Sequence, residues 1–264
     1  MPFAFPREIR HNPFMLSAYP WDSPADASFA DVLRCGARTL LDAILPPRCF
    51  LCGKAREIND GALCAACAAD LTPLPAARCP RCLIATTHGE SCGACQQHPP
   101  YFDRAYALFA YDFPVSPLIQ AFKYRAVFAP AQSWGTRLAA LTNDAATDCV
   151  LPIPLHAERL KARGYNQSLE LARHIARARG LPLLPDTLHK IRATTPQAGL
   201  SLKARQKNLR RAFECRRDLS GKNILLVDDV LTTGTTANEA ARALKARGAR
   251  AVWIAVVART LREA

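Results

Sequence analysis

Apolar and polar positions along residues 101–264 alternate between the period of strands and the period of helices. Apolar runs predict four strands, at 105–111, 149–155, 222–227 and 251–258. Helical spacing predicts four helices, at 116–124, 131–141, 166–179 and 235–247, the last two closed by Gly180 and Gly248. Strands that alternate with helices predict an α/β fold, a parallel sheet covered on both faces, whose ligands bind beyond the carboxyl ends of the strands.

The first 100 residues predict two further regions. Prolines without an apolar period indicate a disordered leader over 1–30 that carries no chemistry. A helix is expected from Asp31 to the Pro46-Pro47 stop, and a small cysteine-rich segment follows it. The predicted organisation is therefore a leader at 1–30, a small domain at 31–100 and the α/β domain at 101–264.

Eight of the eleven cysteines form four Cys-x-x-Cys pairs, Cys49/Cys52, Cys64/Cys67, Cys79/Cys82 and Cys92/Cys95. The chain start has charges and prolines where a signal peptide has its apolar core, and no window has the length of about 18 apolar residues that a membrane span needs. We therefore expect a cytoplasmic, reducing location, in which thiolates bind metal rather than form disulfides.

Eight thiolates predict two structural zinc ions with four sulfur ligands each. An iron–sulfur cluster is the alternative, but the regular pairs favour zinc. The simplest pairing joins the first two Cys-x-x-Cys pairs in one site and the last two in the other. The spacing also permits a crossed arrangement, in which the first pair shares a metal with the third.

The net charge of +13 is confined to the second part of the chain. Residues 1–100 hold nine basic and nine acidic residues, whereas residues 101–264 hold 26 basic and 13 acidic ones. The stretch 156–217 alone has 15 basic and 4 acidic residues. Such a surplus of positive charge attracts phosphates, polyphosphates or nucleic acid. The alternative interpretation is that these residues form a solvated surface without an anionic partner.

The segment Ile224 to Thr236, ILLVDDVLTTGTT, carries the clearest chemical signal. An apolar strand delivers two acids, Asp228 and Asp229, and a threonine-rich loop then opens a helix. Acids at a strand end can accept hydrogen bonds from ribose hydroxyls, directly or through a hydrated magnesium ion. Hydroxyls and amides at a helix N-terminus can hold a phosphate. The segment lacks the spaced glycines of a dinucleotide fingerprint and the lysine of a P-loop.

This segment resembles the phosphoribosyl-pyrophosphate (PRPP) motif of type I phosphoribosyltransferases. Together with the four cysteine pairs and the segment ERLKARGYNQS, Glu158 to Ser168, the chain resembles the ComF family of competence proteins over roughly residues 40–260. The resemblance implies a type I phosphoribosyltransferase-like sheet with helices on both faces, preceded by a small double zinc ribbon.

The resemblance also implies roles for individual residues. Asp228 and Asp229 would bind the ribose hydroxyls, and the PRPP-binding segment would comprise Val230, Leu231, Thr232, Thr233, Gly234, Thr235 and Thr236. Pyrophosphate would lie near Val150 to Leu155, assisted by Arg159, Lys161 and Arg163, with polar contacts from Asn166 and Gln167. A mobile hood over Thr194 to Asn208 would contribute Gln197 and Arg205.

The implied reaction is a glycosyltransferase step, in which an acceptor displaces pyrophosphate from PRPP with the help of magnesium. The acceptor is not specified by the residues. The alternative is a non-catalytic protein that senses PRPP or a nucleotide and binds single-stranded DNA. A third hypothesis is an adaptor that docks on a helicase or another competence protein. The segment Phe122-Lys123-Tyr124-Arg125 has the aromatic and basic texture of a single-strand binding surface, although packing in the core is the favoured interpretation.

Overall fold

A computed structural model describes residues 48–55, 58, 63–125, 128–192 and 211–261. The predicted leader at 1–30 and the helix from Asp31 lie outside these residues. All described residues belong to one compact unit, Arg48–Ala264, which contains both the cysteine pairs and the sheet.

Within the described residues, six strands form two sheets. They are β1 (Arg104–Ala110), β2 (Cys149–Pro152), β3 (Leu188–Lys190), β4 (Phe213–Cys215), β5 (Asn223–Leu231) and β6 (Ala251–Arg259). The main sheet is parallel with the order β1-β6-β5-β2, whereas β3 and β4 pair with each other in antiparallel fashion. Leu226 lies opposite Leu151 on one side and Ile254 on the other, and all three are fully buried.

Helices cover both faces of this sheet. The described helices are α1 (Ala65–Ala69), α2 (Gly93–Gln97), α3 (Val115–Tyr124), α4 (Ala129–Leu141), α5 (Ala157–Arg163), α6 (Gln167–Arg179) and α7 (Thr235–Lys245). Successive side chains of a strand point to opposite faces. Leu225 and Val227 of β5 therefore share a core cluster with α3, α4 and α6, whereas Ile224 and Leu226 share the other with α7 and the β3–β4 pair.

The structure confirms the eight predicted elements of the α/β domain and adds α5 and the β3–β4 pair, which periodicity did not indicate. One boundary differs in an informative way. The strand predicted to end at Val227 continues through both acids to Leu231, because β6 pairs with β5 as far as Arg259. None of the helices in the described ranges has the length and apolarity to cross a bilayer.

The cysteine-rich segment covers the exposed edge of β1. The amide of Ala105 donates to the Pro80 carbonyl at 3.1 Å, and the amide of Ala110 donates to the Thr72 carbonyl at 3.0 Å. Unpaired edge strands are prone to pair with other chains, so these contacts protect the sheet. A separate contact, from Nε of Arg259 to the Cys82 carbonyl at 2.6 Å, joins the second group of cysteines to the last residue of β6.

Candidate functional site

The two acids of the motif lie at the carboxyl end of β5, and a different helix contacts each of them. Oδ1 of Asp228 accepts hydrogen bonds from Ser168 Oγ of α6 at 2.9 Å and from the Asp229 amide at 2.9 Å. Oδ1 of Asp229, which is buried, lies 2.8 Å from Nζ of Lys123 on α3. The pair is therefore held by α3 and α6, two of the three helices that share a core cluster with Leu225 and Val227 of β5.

Neighbouring charges and burial shift the pKa values of Asp228 and Lys123. Burial and the neighbouring charge of Asp229 raise the pKa of Asp228 to about 7, against the lowering effect of Lys123 and the two hydrogen bonds. Burial alone would lower the pKa of Lys123, but the attraction of Asp229 and Asp228 outweighs it and leaves that pKa above its ordinary value. The ammonium group is thus charged at neutral pH and balances one carboxylate.

The threonine loop begins directly after β5 and leads into α7. Gly234 adopts a left-handed conformation with φ of 78°, and the hydroxyls of Thr233 and Thr235 lie 2.8 Å apart. The first backbone bond of the helix runs from the Asn238 amide to the Gly234 carbonyl, so the amides of residues 235–237 precede the intrahelical ladder. Together with the positive end of the helix dipole, these donors form a site suited to an anion.

The segment predicted to lie near pyrophosphate, Val150 to Leu155, comprises the end of β2 and the three residues after it, and Asn166 fastens it to α6. Its Nδ2 donates to the Ile153 carbonyl at 3.1 Å, and its Oδ1 accepts the Ser168 amide at 3.1 Å as the N-cap of the helix. Gln167 is 1% exposed, and its buried Nε2 has no acceptor among the described residues. The start of α6 therefore offers a buried donor beside the segment after β2.

The three basic residues predicted to assist pyrophosphate, Arg159, Lys161 and Arg163, lie in different surroundings. Burial and the charge of Arg159 lower the pKa of Lys190 to about 8, while Asp228 acts in the opposite direction, so Arg159 and Asp228 both lie within electrostatic range of Lys190. The Arg163 guanidinium stacks 4.9 Å from the ring centre of Tyr124, and Lys161 is exposed. Gln197 and Arg205 of the predicted hood lie outside the described residues.

The sequence interpretation missed three polar residues that contact the site or its loop. Lys123 was quoted only within a segment for which core packing was the favoured interpretation, and its contact with Asp229 was not predicted. Ser168 was quoted only as part of a motif, and Arg259 was not singled out. Arg259 ends the apolar strand β6 and is 5% exposed. Its Nη1 donates to the carbonyl of Leu231 at 2.9 Å and to that of Thr232, so that it fixes the backbone of the loop. A charged residue at the end of an apolar run was the available signal.

The aromatic segment 122–125 divides between the core and the surface. Phe122 is fully buried, which agrees with the favoured packing interpretation, whereas Tyr124 is 68% exposed. Near them the rings of Phe128 and Tyr165 lie 4.7 Å apart, with Phe128 half-exposed. Only the outer part of the segment is therefore available to a partner.

The eight paired cysteines form two tetrads in sequential order, Cys49, Cys52, Cys64 and Cys67, then Cys79, Cys82, Cys92 and Cys95. Within each tetrad all sulfur atoms lie within 4.8 Å of one another, and the Cys82–Cys92 distance is 3.5 Å. A zinc ion with 2.3 Å bonds to a tetrahedron of sulfurs needs edges of about 3.8 Å. The geometry fits zinc and selects the sequential pairing over the crossed one.

Hydrogen bonds favour thiolates at the start of both tetrads. Burial raises the pKa of Cys49, but amide donors, including those of Cys52 and Cys64, outweigh it and lower that pKa to about 6. The equivalent amides, including those of Cys82 and Cys92, bring the pKa of Cys79 to about 7. Because metals bind the deprotonated form, these turns are prepared for metal ligation.

Comparisons with known proteins agree with this two-part arrangement. A double zinc ribbon domain matches residues 40–96, and a phosphoribosyl transferase domain matches residues 166–264. DNA utilization protein YhgH of Escherichia coli is 33% identical over 225 residues, which cover 82% of this chain and 99% of that protein. Competence protein F of Haemophilus influenzae is 30% identical over 223 residues, covering 80% of this chain and 96% of that protein.

Among solved structures, the glutamine PRPP amidotransferase from Bacillus subtilis is 24% identical over 48% of this chain and 25% of that chain. Its TM-score is 0.35.

Proposed function

This chain belongs to the ComF family of competence and DNA utilization proteins, and we propose on that premise that it binds PRPP with magnesium at the carboxyl end of β5 in support of DNA uptake or utilization. The names of its relatives support the biological setting. The matching phosphoribosyl transferase domain supports the ligand class. Metal binding by reduced thiolates fits a cytoplasmic location.

One observation carries the proposal. Asp228 and Asp229 lie near the end of β5, separated only by Val230 and Leu231 from a loop whose threonine hydroxyls and helix N-terminal amides can hold a phosphate. A ribose 5-phosphate presents hydroxyls and a phosphate at opposite ends of one small ring. The adjacent acids and anion site offer partners for both ends, since carboxylates accept from hydroxyls and amides donate to phosphate oxygens.

The basic groups complete the set of partners for PRPP. Lys190, within electrostatic range of Asp228, and Arg159, within range of Lys190, would neutralise the pyrophosphate. Asp228 and Asp229 supply the hard oxygen ligands that magnesium prefers, and that ion, when bound, would supply positive charge to a departing pyrophosphate. Lys123 already balances Asp229, which fits a site that uses one or two carboxylates together with substrate phosphates.

The proposed activity is transfer of the phosphoribosyl group. The bond between the anomeric carbon and the pyrophosphate oxygen breaks, and an acceptor forms a new bond at that carbon. A protein that only senses PRPP, or an adaptor for a helicase or competence protein, would bind the same ligand without releasing pyrophosphate. Measuring pyrophosphate release with candidate bases and oligonucleotides separates transfer from sensing.

Ligand-induced stabilisation tests the binding site. PRPP with magnesium at 100 times its Kd should stabilise the zinc-loaded protein by about 2.7 kcal/mol. Asp228→Asn and Asp229→Asn should abolish this stabilisation. Asp186→Asn, which neutralises an exposed acid elsewhere, should retain it. Stabilisation that persists in both site variants would show that the ligand binds elsewhere.

A second candidate function, binding of single-stranded DNA, is favoured by the exposed Tyr124 and its neighbour Arg163. Aromatic faces stack on bases, and stacking contributes about 1–3 kcal/mol for each base. Tyr124→Ala should therefore weaken oligonucleotide binding about tenfold, whereas Tyr101→Ala, an exposed aromatic outside this cluster, should not. Affinity should also fall steeply with salt, and a flat salt response would exclude this surface.

A further inference from the structure

Arg259 connects the second cysteine tetrad with the threonine loop. Its Nε donates to the carbonyl of Cys82 at 2.6 Å, and its Nη1 donates to the carbonyls of Leu231, at 2.9 Å, and Thr232. Cys82 lies 177 residues away in sequence. A single planar guanidinium thus bonds a residue of a metal-binding turn, the last residue of β5 and the first residue of the threonine loop.

The burial of Arg259 makes these hydrogen bonds difficult to replace. The residue is 5% exposed, so its donors cannot exchange protein acceptors for bulk water without a rearrangement. Four thiolates with one divalent ion carry a net charge of about −2, which a buried guanidinium partly balances.

We propose that Arg259 is a positioning residue through which the metal-bound second tetrad sets the backbone of the threonine loop. Metal ligation fixes the turn that contains Cys82, and Arg259 transmits that position to the carbonyls of Leu231 and Thr232. The backbone amides that follow in the loop are thereby oriented to donate hydrogen bonds to a bound anion. This inference rests on the proposed function only where it names that anion as the phosphate of a sugar phosphate.

The first tetrad serves as an internal control, because it lies in the other core cluster. Cys49 and Cys64 pack with Phe109 and α3, whereas Leu83 of the second ribbon packs in the cluster that contains Leu231. Cys64 and Cys92 hold equivalent positions, each as the N-cap of the short helix in its ribbon. Replacing either with serine weakens one metal site by the same chemical change.

The test compares Cys92→Ser, Cys64→Ser and Arg259→Gln in the full zinc-supplied chain without any ligand. Hydrogen exchange is followed at the Asn238 amide, which bonds the Gly234 carbonyl at the end of the loop. We expect exchange to accelerate about tenfold in Cys92→Ser and Arg259→Gln, and to change less than about twofold in Cys64→Ser. Combining Cys92→Ser with Arg259→Gln should add nothing further, because both changes interrupt one connection.

Two outcomes would overturn the proposal. Equal acceleration by Cys64→Ser and Cys92→Ser would show general destabilisation, and additive effects in the double variant would show that the tetrad acts by another route. If Arg259→Gln fails to fold, Arg259→Lys keeps the charge without the planar fork, and it should still accelerate exchange at Asn238. Unchanged exchange in that folded variant would also refute the coupling.

A parallel titration with ribose 5-phosphate separates this inference from the proposed function. Stabilisation of the unmodified chain that weakens in Arg259→Gln supports both. Absence of any stabilisation in the unmodified chain contradicts the proposed ligand, while the exchange data still decide whether the tetrad positions the loop.

Discussion

Replacing Lys123 with methionine removes the cation that lies 2.8 Å from Asp229 and leaves a side chain of similar length. The side chains of Lys123 and Asp229 are 20% and 10% exposed, so water compensates the loss poorly. Asp228 adds a second carboxyl group whose pKa is already raised to about 7 by burial and by the charge of Asp229. The variant therefore holds two adjacent acids without their counter-ion.

The expected loss of stability depends on pH. Removing one partner of a buried pair costs about 3–5 kcal/mol while the other remains charged. A carboxyl group whose pKa is raised on folding destabilises the fold increasingly as pH rises from the unfolded value of about 4 through the folded value. Because loss of Lys123 removes a charge that lowers the pKa of Asp228, we expect Lys123→Met to cost about 3 kcal/mol at pH 8 and about 1 kcal/mol at pH 5.

Thermal unfolding of the zinc-loaded protein at the two pH values measures this difference. For a chain of this size about 1 kcal/mol corresponds to about 2–4 °C in Tm, so Tm should fall by about 6–12 °C at pH 8 and by about 2–4 °C at pH 5. Lys222→Met, which removes the same charge from an exposed position, should change Tm little at either pH. A loss that is equal at both pH values, or no loss at pH 8, would refute the assignment of Lys123 as counter-ion.

Three further measurements test other parts of the structure. Gly135→Ala would place a methyl group against the His174 side chain between α4 and α6 and should lower stability by about 1–3 kcal/mol in denaturant titrations, whereas Gly93→Ala, which enters open space, should not. Affinity for PRPP, measured by calorimetry, should fall as pH rises through about 8, because the pKa of Lys190 is about 8 and the uncharged amine loses its attraction for pyrophosphate; Lys190→Gln should remove this dependence. Metal analysis should give about two zinc ions per chain, and a value near one would mean that only one tetrad binds metal.

The regular part of the fold could be predicted because its signals are local. The apolar run before Asp228 and the helix closed by Gly180 follow from periodicity and end signals within about fifteen residues. The strand β3 has only three residues, and its partner β4 is equally short. Elements of that length carry no periodicity, so neither they nor their pairing could be predicted.

Sequence by itself determined which residues are the candidates for chemistry: eight paired cysteines, two adjacent acids and a threonine-rich loop before a helix, since each is a pattern of neighbours along the chain. Only the tertiary structure decided what faces these groups. Lys123 and Ser168 meet the acids across gaps of 106 and 60 residues, and Arg259 reaches Cys82 across 177. The sequential tetrads, too, were one of two pairings that the spacing allowed. The packing of helices and ribbons on the sheet brings these partners together. Buried charges and donors require partners, and no local sequence pattern specifies which residues supply them.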